Sequence, residues 1–292
     1  MPKEKQGVKQ KEGKTKPKGK ITKIFKFLFG GGTEAKELVE ERKTFYPKQK
    51  LSPKKQEKLD EELLQAVVDN DVEKVKLYLG LGGDANYKIK EKKTVKDIVF
   101  AENSTLLIIA SEFEYTDIAD ELIKNGADVN TPVELGVTPL MWVARGGHRN
   151  ACKLLRYHRA DMNIPDMWGR TALMYAVANG HTDIYKLLIE DGADVNIQNK
   201  DGWAALMYAT HNERTETVEY LLSVGANPLL KDNEGRTVYD FTKNEEIKQI
   251  IKRFENLWKM LGKEQMLLLM QNVNTTIREC SPKKMYSIVE NL

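Results

Sequence analysis

A pattern returns at positions 126, 159, 192 and 225 of this chain, and that return restricts the fold more than any other feature. Gly126-Ala127-Asp128-Val129-Asn130 reappears as Arg159-Ala160-Asp161-Met162-Asn163, then Gly192-Ala193-Asp194-Val195-Asn196, then Gly225-Ala226-Asn227-Pro228, always at a step of 33. Upstream, Thr138-Pro139-Leu140-Met141, Thr171-Ala172-Leu173-Met174 and Ala204-Ala205-Leu206-Met207 keep the same step behind Gly136, Gly169 and Gly202, and Gly147-His148 matches Gly180-His181. A fixed period of roughly 20–50 residues means stacked units, each too small to bury its apolar face alone.

Each unit carries helix punctuation. Gly126, Gly192 and Gly225 stand where a helix ends in the left-handed conformation that glycine adopts without strain. Arg159 occupies the same place and is expected to be strained or differently closed. Thr138 and Thr171 stand at helix starts, where a hydroxyl accepts an unsatisfied amide proton, and Pro139 suits the first helical position. Leu154-Leu155, Leu187-Leu188 and Leu221-Leu222 lie on the second helix of each pair and are expected to be core.

Between residues 101 and 236 these motifs (Gly-x-Thr-Pro-Leu, Gly-His, Leu-Leu, Gly-Ala-Asp) resemble the ankyrin repeat family, with Met at 141, 174 and 207 where the family has His. The resemblance implies an all-α solenoid of about five to six helix-turn-helix repeats with hairpin loops, over residues 58–253. An outlying first repeat runs through Leu63-Leu64, Leu77-Tyr78-Leu79 and Gly82-Gly83-Asp84-Ala85-Asn86. The step from Gly82 to Gly126 is 44 instead of 33, so an insertion of 11 lies around 87–103. The last repeat starts at Asp232 and leaves the pattern after Thr237. Residues 254–292, with Phe254, Leu257, Trp258 and Leu261 at helical spacing and Ser281-Pro282 opening a final helix, form a C-terminal cap.

Catalysis needs convergent polar groups, and the sequence offers none. In the resemblance, His148 and His181 hydrogen-bond an adjoining loop. His158 and His211 have no Cys or carboxylate at ligand spacing. Cys152 and Cys280 form no disulfide framework, and Cys152 is expected to be a small buried residue. The expectation is a non-enzymatic chain with no catalytic residues, no metal and no cofactor, in the cytoplasm, with peripheral membrane attachment or delivery into a host cell as alternatives.

Binding is the stronger reading. Ile109, Trp142, Tyr175, Tyr208 and Phe241 recur at steps of 33 and, by the resemblance, line the concave groove, where the rings either meet a partner or stack on one another between repeats. Trp168 and Trp203 stand at hairpin tips, expected to project. Arg145, Asn179, His211 and Asn212 lie one turn on from the ladder. Aromatic anchors of this kind dominate protein interfaces. Residues 101–240 hold 12 basic and 21 acidic side chains, net −9. That charge disfavours nucleic acid and suits a monomer binding a basic segment of a partner protein, with cation–π contacts to the rings.

The N-terminal residues differ. Ten lysines against two glutamates give residues 1–26 a net charge of +8, within a basic, disordered tail over 1–57. Lys20, Lys23, Phe25 and Lys26 belong to a short amphipathic patch suited to anionic lipid or to nonspecific contact with a polyanion, and the lipid reading makes a membrane-tethered adaptor the alternative function. A third reading is a ubiquitin-ligase adaptor, because 282–292 loosely resembles the start of an F-box-like helix.

Overall fold

The computed structural model describes residues 51–256 and 258–259. The basic tail with its patch at Lys20, Lys23, Phe25 and Lys26, and the segment from 260 onward with its expected last helix, lie outside the described residues. From Gln56 onward the described residues form one compact unit.

Helices come in pairs: α1 (Pro53–Val68) and α2 (Val72–Gly80), α3 (Leu106–Glu112) and α4 (Thr116–Lys124), α5 (Pro139–Gly146) and α6 (Arg149–Tyr157), α7 (Ala172–Asn179) and α8 (Thr182–Glu190), α9 (Ala205–His211) and α10 (Thr215–Ser223). In a sixth unit the first helix shrinks to a 3₁₀ turn, Val238–Phe241, packed against α9, and the second, α11, starts at 245 and is still helical at 259. Helices as short as α3 to α10 do not persist alone in water. Stacking supplies what propensity cannot. The inner helices α3, α5, α7 and α9 pack side by side, as do the outer helices α2, α4, α6 and α8. Leu155, Leu188, Leu221 and Leu222 are fully buried between repeats, whereas Leu154 and Leu187 are only half-covered. Cys152 is buried, and burial pushes its thiol up to about 12. Phe254 and Trp258 are buried on α11.

Thr138 caps α5 as expected, its Oγ1 accepting the Met141 amide at 3.3 Å with Pro139 at the first position. Thr171 does not: it holds the same extended backbone, but its hydroxyl accepts no amide from the first turn of α7. Thr105 caps α3 in the Thr138 manner.

The second helix of each pair ends in the left-handed region at Gly82, Gly126, Gly192 and Gly225, with φ between 91° and 97°. Arg159 is held there too, at φ 61°, where an L side chain crowds its own carbonyl. A second left-handed series links the two helices of a repeat at Glu114, Gly147, Gly180 and Glu213, again 33 apart.

Asparagine side chains join consecutive loops. Oδ1 of Asn86 accepts the amide of Asp128, Asn130 that of Asp161, Asn163 that of Asp194, and Asn196 that of Asn227, at 2.7–2.9 Å. Within each loop the Asp carboxylate accepts the amide two residues on, as in Asp161 with Asn163 at 2.9 Å. The series needs a first member, and Asp60 of α1 provides it, its Oδ1 accepting the Asp84 amide at 2.7 Å and Gln56 Nε2 at 2.9 Å.

The insertion lies in a hairpin tip. In the regular tips one amide bonds a carbonyl four residues on: Val133 to Val137, Asp166 to Arg170, Asn199 to Trp203, Asp232 to Arg236. In the first, Ile89 bonds Ser104, a span longer by the whole insertion. The extra chain forms an antiparallel hairpin, β1 (Lys93–Val95) and β2 (Ile98–Phe100), closed by Lys96 and Asp97 at positive φ. An otherwise helical stack thus carries one small sheet among the described residues, which the helical repeat pattern did not foretell.

Two stability changes follow. Arg159→Gly removes the left-handed strain at an exposed position and should raise stability by roughly 0.5–1 kcal/mol in urea unfolding, after the entropic cost of glycine. Burial raises the Asp60 carboxyl above its ordinary value, so its contribution is full below the unfolded pKa and lost as pH rises through the folded one. Asp60→Asn keeps an Oδ1 for both bonds and should melt higher than the wild type at pH 7, with the advantage vanishing on acidification through that window.

Candidate functional site

Three of the hairpin tips are built around one buried acceptor each. Oδ1 of Asp166 takes the amides of Trp168 and Arg170 at 2.9 and 2.8 Å, while Oδ2 takes Arg170 Nε at 2.9 Å and the Tyr175 hydroxyl at 2.8 Å. Asp232 repeats the scheme with the amides of Glu234 and Arg236 and with Arg236 Nε. Burial works to raise the Asp232 carboxyl, but the bonds from Arg236 and the two amides hold it below its ordinary value. Between these tips Asn199 stands in the acceptor position and Trp203 in the arginine position. Asn199 Oδ1 takes the amides of Asp201 and Trp203, and its Nδ2 donates to the Tyr208 hydroxyl at 3.0 Å. Asp goes with Arg and Asn with Trp. A carboxylate stays buried where a guanidinium neutralises it, and a neutral amide replaces it where none is present.

The ladder residues are consequently engaged by their own chain. The Arg170 guanidinium lies between two rings, 4.3 Å from Trp168 and 4.8 Å from Tyr175. Arg145 lies over Trp142, and Arg236 over Phe241 at 4.9 Å. Burial, reinforced by the bond to Asp166, pushes the Tyr175 hydroxyl up to about 12, so it donates throughout the physiological range. Trp142 Nε1 donates to Glu112, whose Oε2 lies 3.2 Å from His148 Nε2. That carboxylate raises the imidazole pKa, and His148 in turn holds Glu112 below its ordinary value. His181 Nε2 donates to the Arg145 carbonyl at 3.0 Å, and His158 meets Asp120 at 2.8 Å. These three histidines hydrogen-bond a loop or lie against a carboxylate.

Several expectations change here. Ile109 lines no groove. It is fully buried, and the inserted hairpin lies along its helix: Phe100 stacks on Trp142 at 6.1 Å and tilts against Phe113, while Lys96 reaches the Phe113 and Tyr115 rings beyond the end of α3. Trp203 does not project. Its ring packs 4.6 Å from Phe241, 5.2 Å from Tyr208 and 5.5 Å from His211. Trp168 does remain open, 39% exposed, beside Met167 and Leu135 at 47% each. The Leu135 carbonyl accepts the Met167 amide and the Trp168 carbonyl the Lys200 amide, so these residues share one edge. The Trp142, Tyr175 and Phe241 faces carry the chain's own arginines.

Arg145, Asn179, His211 and Asn212 are exposed at the ends of α5, α7 and α9. Asn179 donates to the Tyr175 carbonyl and Asn212 to the Ala178 carbonyl. Sequence reasoning missed Phe100, Leu135, Met167 and the acceptors Asp166, Asn199 and Asp232. The acceptors were recoverable from their spacing of 33 and their pairing with 170, 203 and 236. Among the described residues no group of three His, Cys, Asp or Glu is placed to hold a metal, and no helix is long and apolar enough to cross a membrane.

Packing separates the two tip tryptophans. Trp203→Ala should cost about 2–3 kcal/mol in denaturant unfolding and Trp168→Ala under about 1 kcal/mol, since only the first leaves a cavity among rings.

Among comparisons with known proteins, the family model described as ankyrin repeats (3 copies) matches residues 63–166 and 158–232. No curated protein matches the chain.

Proposed function

Because the chain belongs to the ankyrin repeat family, whose members are generally protein–protein interaction modules and typically not enzymes, we propose that it is a non-catalytic scaffold. On this reading a partner protein docks on the edge formed by the hairpin tips and on the adjoining groove. The observation that carries it is the open cluster of Leu135, Met167 and Trp168, three large apolar side chains exposed together on consecutive tips. Tight backbone bonds between tips already fix that edge, so exposure of these residues there has no packing role to explain it. A rigid platform also loses little entropy on binding. Tyr175 braces the Trp168 tip through Asp166 and Arg170, while Arg145, Asn179, His211 and Asn212 offer polar groups along the groove rim.

Affinity purification with quantitative mass spectrometry, using the wild type and Trp168→Ala as parallel baits, tests the proposal. Removing an aromatic anchor should weaken the partner by about 2 kcal/mol or more, roughly thirtyfold in Kd, with melting temperature nearly unchanged. Equal capture by both baits overturns the tip reading.

A further inference from the structure

Phe113 and Tyr115 stand where the later repeats place other residues. At steps of 33 they correspond to Gly146 and His148, to Asn179 and His181, and to Asn212 and Arg214. Phe113 closes α3 and Tyr115 opens α4, and their rings stack with centroids 5.5 Å apart. Both are half-buried, and an exposed lysine from the turn of the inserted hairpin rests on them. Lys96 Nζ lies 5.5 Å from the Phe113 centroid and 5.0 Å from that of Tyr115, and it donates to the Tyr115 hydroxyl. Two ring faces and one hydroxyl thus hold a primary ammonium by its charge and by an N–H.

The arginines over the ladder rings are held more firmly. Asp166 anchors Arg170 and Asp232 anchors Arg236, whereas no carboxylate pairs with Lys96 among the described residues. Lys96 and Asp97 turn the hairpin at φ 47° and 68°, a left-handed pair that favours Asn-Gly. The hairpin itself is secured by Val95 and Phe100, both buried, with Phe100 stacked on Trp142. Its turn lysine can therefore leave the rings while the strands stay seated. The surroundings suit a cation: from 101 to 123 six acids stand with no lysine or arginine. Of these, Glu112 faces His148 and Glu114 accepts the Asn150 amide. Lys92 and Lys93 stand at the open end of the hairpin, where Lys93 is in register with Phe100.

We propose that the Phe113 and Tyr115 rings are a binding site for a lysine side chain of a partner protein, with Lys96 as the resident competitor. This rests on the reading of the chain as a protein-binding module but not on the tip cluster, with which the site shares no residue. The occupant is a primary ammonium, because the Tyr115 hydroxyl takes an N–H that a trimethylated nitrogen lacks. A tethered lysine closes the site to weak encounters and yields to a segment that adds contacts of its own.

Titration of the full chain with the end-capped peptide Ser-Gly-Lys-Gly-Ser, followed by NMR of isotope-labelled phenylalanine and tyrosine rings, tests this. Lys96→Gly removes the resident ammonium and suits the left-handed turn. The peptide should shift the Phe113 and Tyr115 resonances of Lys96→Gly saturably, with a Kd about fivefold below that of the wild type. A norleucine peptide, neutral and similar in length, should shift neither. Equal Kd in the two proteins, no saturable shift, or equal binding of norleucine overturns the proposal. Trimethyl-lysine should bind less tightly than lysine, and Tyr115→Phe should erase the difference; a preference for trimethyl-lysine overturns the primary-ammonium assignment. Tighter binding of n-butylamine than of the peptide assigns the site to a free amine and overturns the partner-protein assignment. Should Lys96→Gly disturb the hairpin, the unaltered chain decides: the peptide should move the ring-shielded Lys96 ε-methylene resonance toward its free position, and an unmoved resonance overturns displacement. Trp168→Ala should bind the peptide as the wild type does, and loss of binding there places the lysine at the tips and rejects this site.

Discussion

The hydrogen bond that the amide of each following loop donates to an asparagine side chain sets the period on which everything else depends. It recurs from Asn86 to Asn227 and fixes how far each unit stands from the next. With that distance set, the short helices bury their apolar stripes against a neighbour, and the tips come close enough to bond backbone to backbone. Asp60 shows what starting the series entails. Among the described residues no earlier unit supplies the first with an asparagine, and a buried carboxyl from the middle of α1 fills the role, at the expense of desolvation.

The tips follow a second rule, one of charge. Asp166 and Asp232 are buried as carboxylates because Arg170 and Arg236 accompany them, and Asn199 is neutral because Trp203 does not. The arginines so recruited spread over aromatic faces, and Trp203 spreads over the same layer as a ring. A column of aromatics in the sequence therefore becomes a laminate of rings and guanidinium groups. What remains open to a partner is the tip cluster, where Trp168 carries the Arg170 guanidinium yet stays exposed.

The repeat, its caps and the strained Arg159 were legible in the sequence because each depends on local chemistry that recurs at the repeat spacing. The insertion was legible as a length and a place, but its hairpin was not, since Thr94-Val95 and Ile98-Val99-Phe100 are too short a pattern to separate strand from loop. The 33-residue spacing of the ladder was legible, but the partners of its rings were not, because contacts such as Phe100 with Trp142 and Trp203 with Phe241 cross between repeats. The same holds for Thr171, whose resemblance to Thr138 in sequence does not extend to its hydroxyl.

Arg159 has a mechanical meaning beyond its own dihedral. Glycine closes the outer helix at Gly82, Gly126, Gly192 and Gly225, so among the described residues the one closure bearing a side chain lies between the third and fourth units. Arrays of stacked units resist pulling through nearest-neighbour junctions, and terminal units ordinarily fray first because each has one neighbour. Strain stored at an inner junction opposes that tendency. Under tension this array would have a built-in line of fracture near its centre, parting into two blocks instead of peeling from its ends.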